Sequence, residues 1–294
     1  MKIQGIFPAV LTPFHEDGRV DFESLDCLTE FLIDKRVHGL FPLGTTGEGM
    51  LLSVEERQEV AEHVVRTVRG RVPVVIHAGE ISTARTIELA RHAERIGASG
   101  ISVVCPYFFP LEEREIYAHF QAVAQAVSED FPIFLYNFPN NARNEISLNT
   151  ILQLIENHRN IRALKFSSDH FSRILEIINA TPKEFYMMLG PDQYYLAGLH
   201  MGTNGCVSGV ANVFPEPYVK LFEYYMQGKI EEAKQEQLKI NFLTEALRYG
   251  RSLSLFKEAL ALRGLKGGKV RAPLRNISKE EKEAVFRILE KFQP

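Results

Sequence analysis

The sequence predicts an α/β protein, a (β/α)8 TIM barrel followed by a C-terminal helical extension. Three observations carry that prediction. Eight short apolar, β-branched runs alternate with eight amphipathic stretches over the first three quarters of the chain. Such near-continuous apolar runs suit parallel strands covered on both faces. The first βα turn reads Leu11-Thr12-Pro13-Phe14, without the Gly-x-Gly-x-x-Gly that opens a dinucleotide-binding open sheet. After Gly228 the pattern turns purely helical. The expected organisation is therefore a barrel over 1–228 and an extension over 229–294 packed on it, with no Pro/Gly/Ser-rich linker between them.

Taken in order, the strands are expected at 6–11, 39–43, 72–78, 100–104, 132–136, 161–166, 185–189 and 205–208. The first helix follows Asp21 and carries Phe22, Leu25, Leu28 and Leu32 on one face. The second spans 53–69: Ser53-Val54-Glu55-Glu56 makes a capping box, and Val60, Val64 and Val68 recur every four residues. The remaining barrel helices fall at 82–96, 111–128, 147–157, 171–180, 193–201 and 215–227, and those of the extension at 229–249, 252–262 and 278–292.

Composition narrows the function classes. Of 294 residues, 45% are hydrophobic and 24% charged, which excludes a disordered chain, a collagen-like repeat and a disulfide scaffold. Lys plus Arg number 34 against 37 Asp plus Glu, a net charge of −3. Without a basic excess, neither nucleic acid nor an anionic membrane is an expected partner. Cys27, Cys105 and Cys206 are odd in number and widely spaced, as expected of small buried thiols in a reduced, cytoplasmic protein. The longest apolar runs fall far short of the ~20 residues of a membrane helix.

In such a barrel the chemistry sits at the C-terminal strand ends and the loops after them. The second strand leads into Gly44-Thr45-Thr46-Gly47-Glu48-Gly49. Its glycines let backbone N–H groups approach a small anion, and its hydroxyls add donors. The loop reads equally as a carboxylate or phosphate cradle and as a plain Gly-rich turn. The sixth strand, Ile161-Arg162-Ala163-Leu164-Lys165-Phe166, places Ile161, Ala163 and Lys165 on one face by its period of two. If that face points inward, an amine sits among apolar groups at the mouth. Burial disfavours the charged form of an amine and so favours nucleophilic chemistry. A Schiff base with a carbonyl substrate is one reading; a snorkelling lysine or a fixed counter-ion is the other.

The neighbouring fifth strand ends Tyr136-Asn137, so Tyr136 can share the mouth with Lys165 and relay a proton, or stand at the rim in water. Gly190-Pro191-Asp192 can offer carbonyls or a carboxylate to a polyol, or simply turn into a helix. The 205–209 stretch lies where barrels often bind phosphate. Nine histidines form no metal-ligand spacing, which argues against a zinc-dependent aldolase. His77, at the end of the third strand, reads as a satisfied rim histidine.

Together these stretches resemble the dihydrodipicolinate synthase / N-acetylneuraminate lyase family of class I aldolases. The resemblance spans nearly the whole chain. Residues 5–14, Gly44-Thr45-Thr46-Gly47-Glu48, Pro106-Tyr107, Tyr136-Asn137-x-Pro139 and Lys165 occur in the family's order and spacing. It implies a barrel with C-terminal helices, usually a homotetramer (a dimer of dimers), and joining or splitting of pyruvate and a small aldehyde or 2-keto acid partner with no metal or organic cofactor. It further implies that Lys165 forms the imine and that Tyr136 relays protons. Thr45 and Thr46 would hold the pyruvate carboxylate, and Gly190 and Val207 would line the pocket beside Tyr107.

Three departures bear on specificity. Asn141 stands where dihydrodipicolinate synthases carry an arginine for the aldehyde's carboxylate, and Arg143 follows two residues later. An amide does not replace a bidentate guanidinium. Phe108 stands where the family's tyrosine reaches a neighbouring subunit's site, so the relay is incomplete unless Tyr107 or water substitutes. Phe166 follows the lysine where an acidic residue is common. The leading reading is an aldolase for 2-keto-3-deoxy sugar acids. The others are dihydrodipicolinate synthase with Arg143 bending in, a non-catalytic keto-acid-binding relative, and a barrel isomerase of phosphate substrates.

Overall fold

The computed structural model describes residues 3–290 and contains seven parallel strands in the order β1-β7-β6-β5-β4-β3-β2. They are β1 Gly5–Pro8, β2 Val75–His77, β3 Gly100–Val104, β4 Ile133–Asn137, β5 Ile161–Phe166, β6 Tyr186–Leu189 and β7 Gly205–Ser208. The eighth expected strand, 39–43, makes a single bridge, Leu40 with Val74. It nonetheless closes the ring. Phe41 N–H donates to Pro8 O at 2.9 Å, Leu40 N–H to Pro73 O at 2.8 Å, and Val75 N–H to Leu40 O at 2.9 Å. Pro8, Pro42 and Pro73 lack an N–H, so no continuous ladder can form along this seam. The barrel is an eight-segment ring with seven regular strands.

Inside the ring, Phe7, Phe41, Phe134, Ala163, Met188 and Val207 form one buried cluster, separate from the larger layer between strands and helices. Ile161 was expected on the same face as Ala163 and Lys165, yet it packs in the outer layer with Leu164 and Phe166. The ladder explains why. Ile133 pairs with Ile161 but Phe134 pairs with Ala163, so Arg162 is an extra residue that reverses the alternation. Above it the period of two holds, and Lys165 points inward.

The helices follow the caps. Asp21 accepts from Ser24 N–H ahead of the helix Phe22–Asp34. Ser53 and Glu56 form the reciprocal box at Val54–Val68, which buries Val60, Val64 and Val68. The stretch expected to be helical from 193 begins as a 3-10 turn, Asp192–Tyr194, before Tyr195–Met201. In the extension, Ile230–Ala246 packs on Glu216–Met226. It stops short of 249, because Arg248 and Tyr249 take left-handed backbone angles (φ 54° and 53°). Leu253–Ala259 follows and continues as a 3-10 turn. The final helix is Lys279–Leu289; Phe292, expected to end it, lies outside the described residues. Cys105 and Cys206 are buried as expected, whereas Cys27 is exposed. Among the described residues no helix is long and apolar enough to cross a membrane.

Candidate active site

Lys165 stands near the C-terminal end of β5, opposite Tyr136 on β4 and Met188 on β6. It is 5% exposed. Its Nζ lies 4.6 Å from the centroid of the Phe41 ring, at the top of the interior cluster, and 4.1 Å from that of Tyr136. Among the described residues it makes no ion pair. The Tyr136 ring is clamped in turn. Phe138 stacks on it at 5.7 Å and 17°, and the His77 ring meets it edge-on at 5.7 Å.

The 44–49 loop is a closed turn. Glu48 N–H donates to Thr45 O and Gly49 N–H to Gly44 O, both at 3.1 Å, while Thr12 Oγ1 donates to Gly47 O at 2.7 Å. A Cβ at position 49 would lie 1.8 Å from Leu43 O, so no larger residue fits. Glu48 holds φ 55°, a left-handed conformation costing a non-glycine residue roughly 1–2 kcal/mol. Thr46 packs against Gly209, where an added Cβ would sit 3.2 Å from its Oγ1. Gly190 is equally constrained, since a Cβ there would meet Ser167 Oγ at 2.0 Å.

Thr45, Thr46, Tyr136, Lys165, Gly190 and Val207 all line one open cleft of about 590 Å³. Its further wall is polar, with Asn140, Asn141, Ser167, Ser168, Asp192, Gln193 and Thr244. Tyr107 faces instead an adjoining chamber of about 290 Å³, shared by Thr45, Tyr136, Phe138 and Asn141 and walled by Met50, Val104 and Leu274. Its hydroxyl contacts Met50 Sδ at 2.8 Å, and burial pushes that hydroxyl up to about 12.

Asp192 is half-buried, with its carboxyl turned inward to accept from Tyr218 OH at 2.7 Å. Burial raises it to about 6 against the opposing pull of hydrogen bonds from Ser208 and Tyr218 and of the Lys165 charge. His77 is not the satisfied rim residue expected from sequence. It is buried, with Nδ1 unpartnered. Burial, reinforced by Arg57 and Lys165, holds it well below the usual imidazole range. Buried Arg57 fixes that strand end, donating to His77 O at 2.7 Å and pairing with Glu80 at 2.8 Å.

Two other positions singled out in the sequence stand apart from the cleft. Phe108 is 71% exposed with φ 79°, its ring edge-on to Phe109 at 5.1 Å. Arg143 is exposed, caps the short helix Pro139–Ala142, and lines neither cavity. Sequence reasoning missed the contribution of the extension, which lends Tyr249, Arg251, Leu253 and Phe256 to the cleft. It also missed the ion pair between Glu48 and Lys257 at 2.5 Å, with neither side chain exposed. The available signal was a lysine inside the apolar stretch Leu255-Phe256-Lys257, where a solvated face would otherwise be polar. Among the described residues no three His, Cys, Asp or Glu gather as a metal ion needs.

Comparison with known proteins bears on the family and the fold. The Dihydrodipicolinate synthetase family model matches residues 2–292. A relative from Halobacterium salinarum described as an uncharacterized DapA-like lyase is 37% identical over 285 residues, covering 97% of this chain and 92% of that protein. Among solved structures, dihydrodipicolinate synthase from Aquifex aeolicus superposes with a TM-score of 0.94 at 33% identity, covering 99% of this chain and 98% of that one. YagE, a prophage protein of the dihydrodipicolinic acid synthase family from E. coli K12 solved with pyruvate, gives a TM-score of 0.95 at 28% identity, with 99% of each chain covered.

Proposed function

The chain belongs to the dihydrodipicolinate synthetase family as a class I aldolase or lyase, and we propose that it makes or breaks a carbon–carbon bond between pyruvate and a polyol aldehyde, acting on 2-keto-3-deoxy sugar acids. One observation carries the reading. Lys165 is a buried amine without an ion-pair partner among the described residues, opposite Tyr136 and open to a cleft with room for a substrate. The pyruvate complex of YagE supports the choice of keto acid.

In this mechanism Lys165 Nζ adds to the ketone carbon of pyruvate or, in the cleavage direction, of the 2-keto-3-deoxy sugar acid, and the carbinolamine loses water to give a protonated imine. The imine accepts the electron pair released when the adjacent carbon gives up a proton or an aldehyde, leaving a neutral enamine. The enamine carbon then takes up a proton, or attacks the aldehyde carbonyl to form the new carbon–carbon bond, which regenerates the imine; water hydrolyses that imine and frees the amine. Tyr136 carries protons to and from the carbinolamine oxygen. Thr45 and Thr46 hold the carboxylate with hydroxyls and backbone N–H groups, while Gly190 and Val207 keep the wall thin. Tyr107, on the far side of Thr45 and Tyr136, is the group available in this chain to extend the relay, since Phe108 has no hydroxyl.

The polar wall supports a polyol partner, because Asn140, Ser167, Ser168, Asp192 and Gln193 supply donors and acceptors but no guanidinium. Condensation with aspartate semialdehyde is the alternative that the Aquifex likeness favours. Against it, Asn141 occupies the arginine's place and Arg143 lies outside the cleft. Borohydride reduction in the presence of pyruvate should inactivate the protein and add a pyruvate-derived mass at Lys165. The same adduct in a folded Lys165→Ala variant would refute the imine. A panel of polyol aldehydes against aspartate semialdehyde then decides the partner: faster turnover of the semialdehyde overturns the sugar-acid reading.

A further inference from the structure

The 44–49 turn, ahead of the helix Val54–Val68, is anchored from the extension. Glu48 closes the 44–49 turn through its N–H on Thr45 O, and it is buried, lining the adjoining chamber rather than the cleft of Lys165. There Lys257 Nζ pairs with it at 2.5 Å, and Arg271 N–H donates to its second oxygen at 2.8 Å. Lys257 also donates to Lys269 O at 2.6 Å and lies 4.1 Å from the centroid of the Phe14 ring. The Arg271 guanidinium is itself committed to Glu56, Gly18 O and Leu51 O. The residue before Lys257, Phe256, shares the face of Gly209 with Thr46: a Cβ there would lie 2.8 Å from the Phe256 ring and 3.2 Å from Thr46 Oγ1.

A pair hidden this completely is not explained by stability. Removing two ions from water consumes most of what their attraction returns, and apolar residues of like volume commonly serve as well. What an ion pair supplies is a fixed distance and direction. Here it fixes a residue held at a strained backbone angle, three positions after Thr45 and two after Thr46. We infer that Lys257 is a positioning residue for the carboxylate cradle: its ammonium, paired with Glu48 beneath the turn, sets where the donors of Thr45 and Thr46 stand relative to Lys165. The inference rests on the pyruvate reading above.

Exchange of the pyruvate methyl protons with deuterated solvent, followed by NMR, tests it without knowledge of the aldehyde. Lys257→Met should raise the half-saturating pyruvate concentration about tenfold or more, with a much smaller change in the saturated rate, as expected when a binding group is displaced while the amine is intact. The double variant Glu48→Gln/Lys257→Met, which leaves no unpaired carboxylate, should show the same rise with the fold preserved. Lys257→Arg, keeping the charge, should recover most of it. Wild-type half-saturation in the folded double variant would make the pair a structural fastener and overturn the inference alone. Failure of the wild-type protein to trap pyruvate overturns the Schiff-base reading, and this inference with it.

Discussion

Lys165 and Lys257 share a side chain and little else. Both are closed off from solvent, at 5% and 1% exposure, and each lies 4.1 Å from the centroid of an aromatic ring, Tyr136 for one and Phe14 for the other. Lys257 spends its donors on Glu48 and the Lys269 carbonyl. Burial lowers it to about 8 even so, with the Glu48 charge acting in the opposite direction. Lys165 has rings on two sides and, above it, the cleft. On the proposed mechanism, burial alone does not turn a lysine into a reagent. The distinction lies in whether the surroundings consume its donors or leave a direction open for a carbonyl carbon.

The strongest way to break this contrast is to replace each lysine by methionine. Lys165→Met should abolish the borohydride-trapped adduct and lower turnover by about 10⁴-fold or more, the scale of losing a nucleophile. Its urea unfolding midpoint should stay level or rise, because no carboxylate is left unpaired. Lys257→Met should do the reverse. It should keep the adduct at saturating pyruvate and lose roughly 3–5 kcal/mol of unfolding free energy, the usual cost of stranding a buried partner charge. Equal destabilisation of the two variants would dissolve the distinction.

Tyr136→Phe sharpens the same comparison on the side of chemistry. Turnover should drop about 10²–10⁴-fold, the range of a lost proton relay, while pyruvate is still trapped at Lys165. A variant that retains wild-type rates removes the tyrosine from the mechanism.

A smaller effect concerns Asp192, one of the carboxyls lining the cleft. Asp192 is raised to about 6 by burial. Its negative charge beside Lys165 is thus lost as pH falls through about 6. A fall in pyruvate proton exchange is expected over that interval, and Asp192→Asn should remove the inflection. If it persists in the variant, another group is responsible.

The smallest effect tests the rule away from the mouth. His119 is held by Thr83 and lowered to about 4 by burial. Its folded value lies below the unfolded one of ~6.5. Between these values the unfolded chain binds the extra proton, so stability falls as pH falls from about 6.5 to 4. His119→Gln should flatten the dependence of the urea midpoint on pH in that window; an unchanged slope would assign it to other groups.

Much of this was legible from the residues. A strand period of two and the known siting of barrel chemistry set Lys165, Tyr136, Thr45 and Thr46 at one end, whereas Gly190 and Val207 as pocket residues came from the family resemblance. Local rules fail where one residue changes the count, as Arg162 does for Ile161, or where prolines deny a ladder its donors, as along 39–43. Tyr107 lies next to Phe108 in sequence, yet one faces a chamber and the other solvent, a consequence of the left-handed angle at Phe108 that composition does not announce. Partnerships between distant segments were least visible. Nothing near Glu48 names Lys257 or Arg271, and nothing near Asp192 names Tyr218.

The anchoring of the 44–49 turn by Lys257 and Arg271 has a bearing on how the protein comes into being. A nascent chain emerges from the ribosome in order, and earlier segments can begin to settle before later ones exist. The strands and the amine at Lys165 are all synthesised well before Arg271, yet the turn acquires its final supports only when that arginine has been made. If Lys165 and the turn act as proposed, a half-finished polypeptide holds its amine in place while the opposite jaw stays slack, and competence arrives as one of the last events of translation.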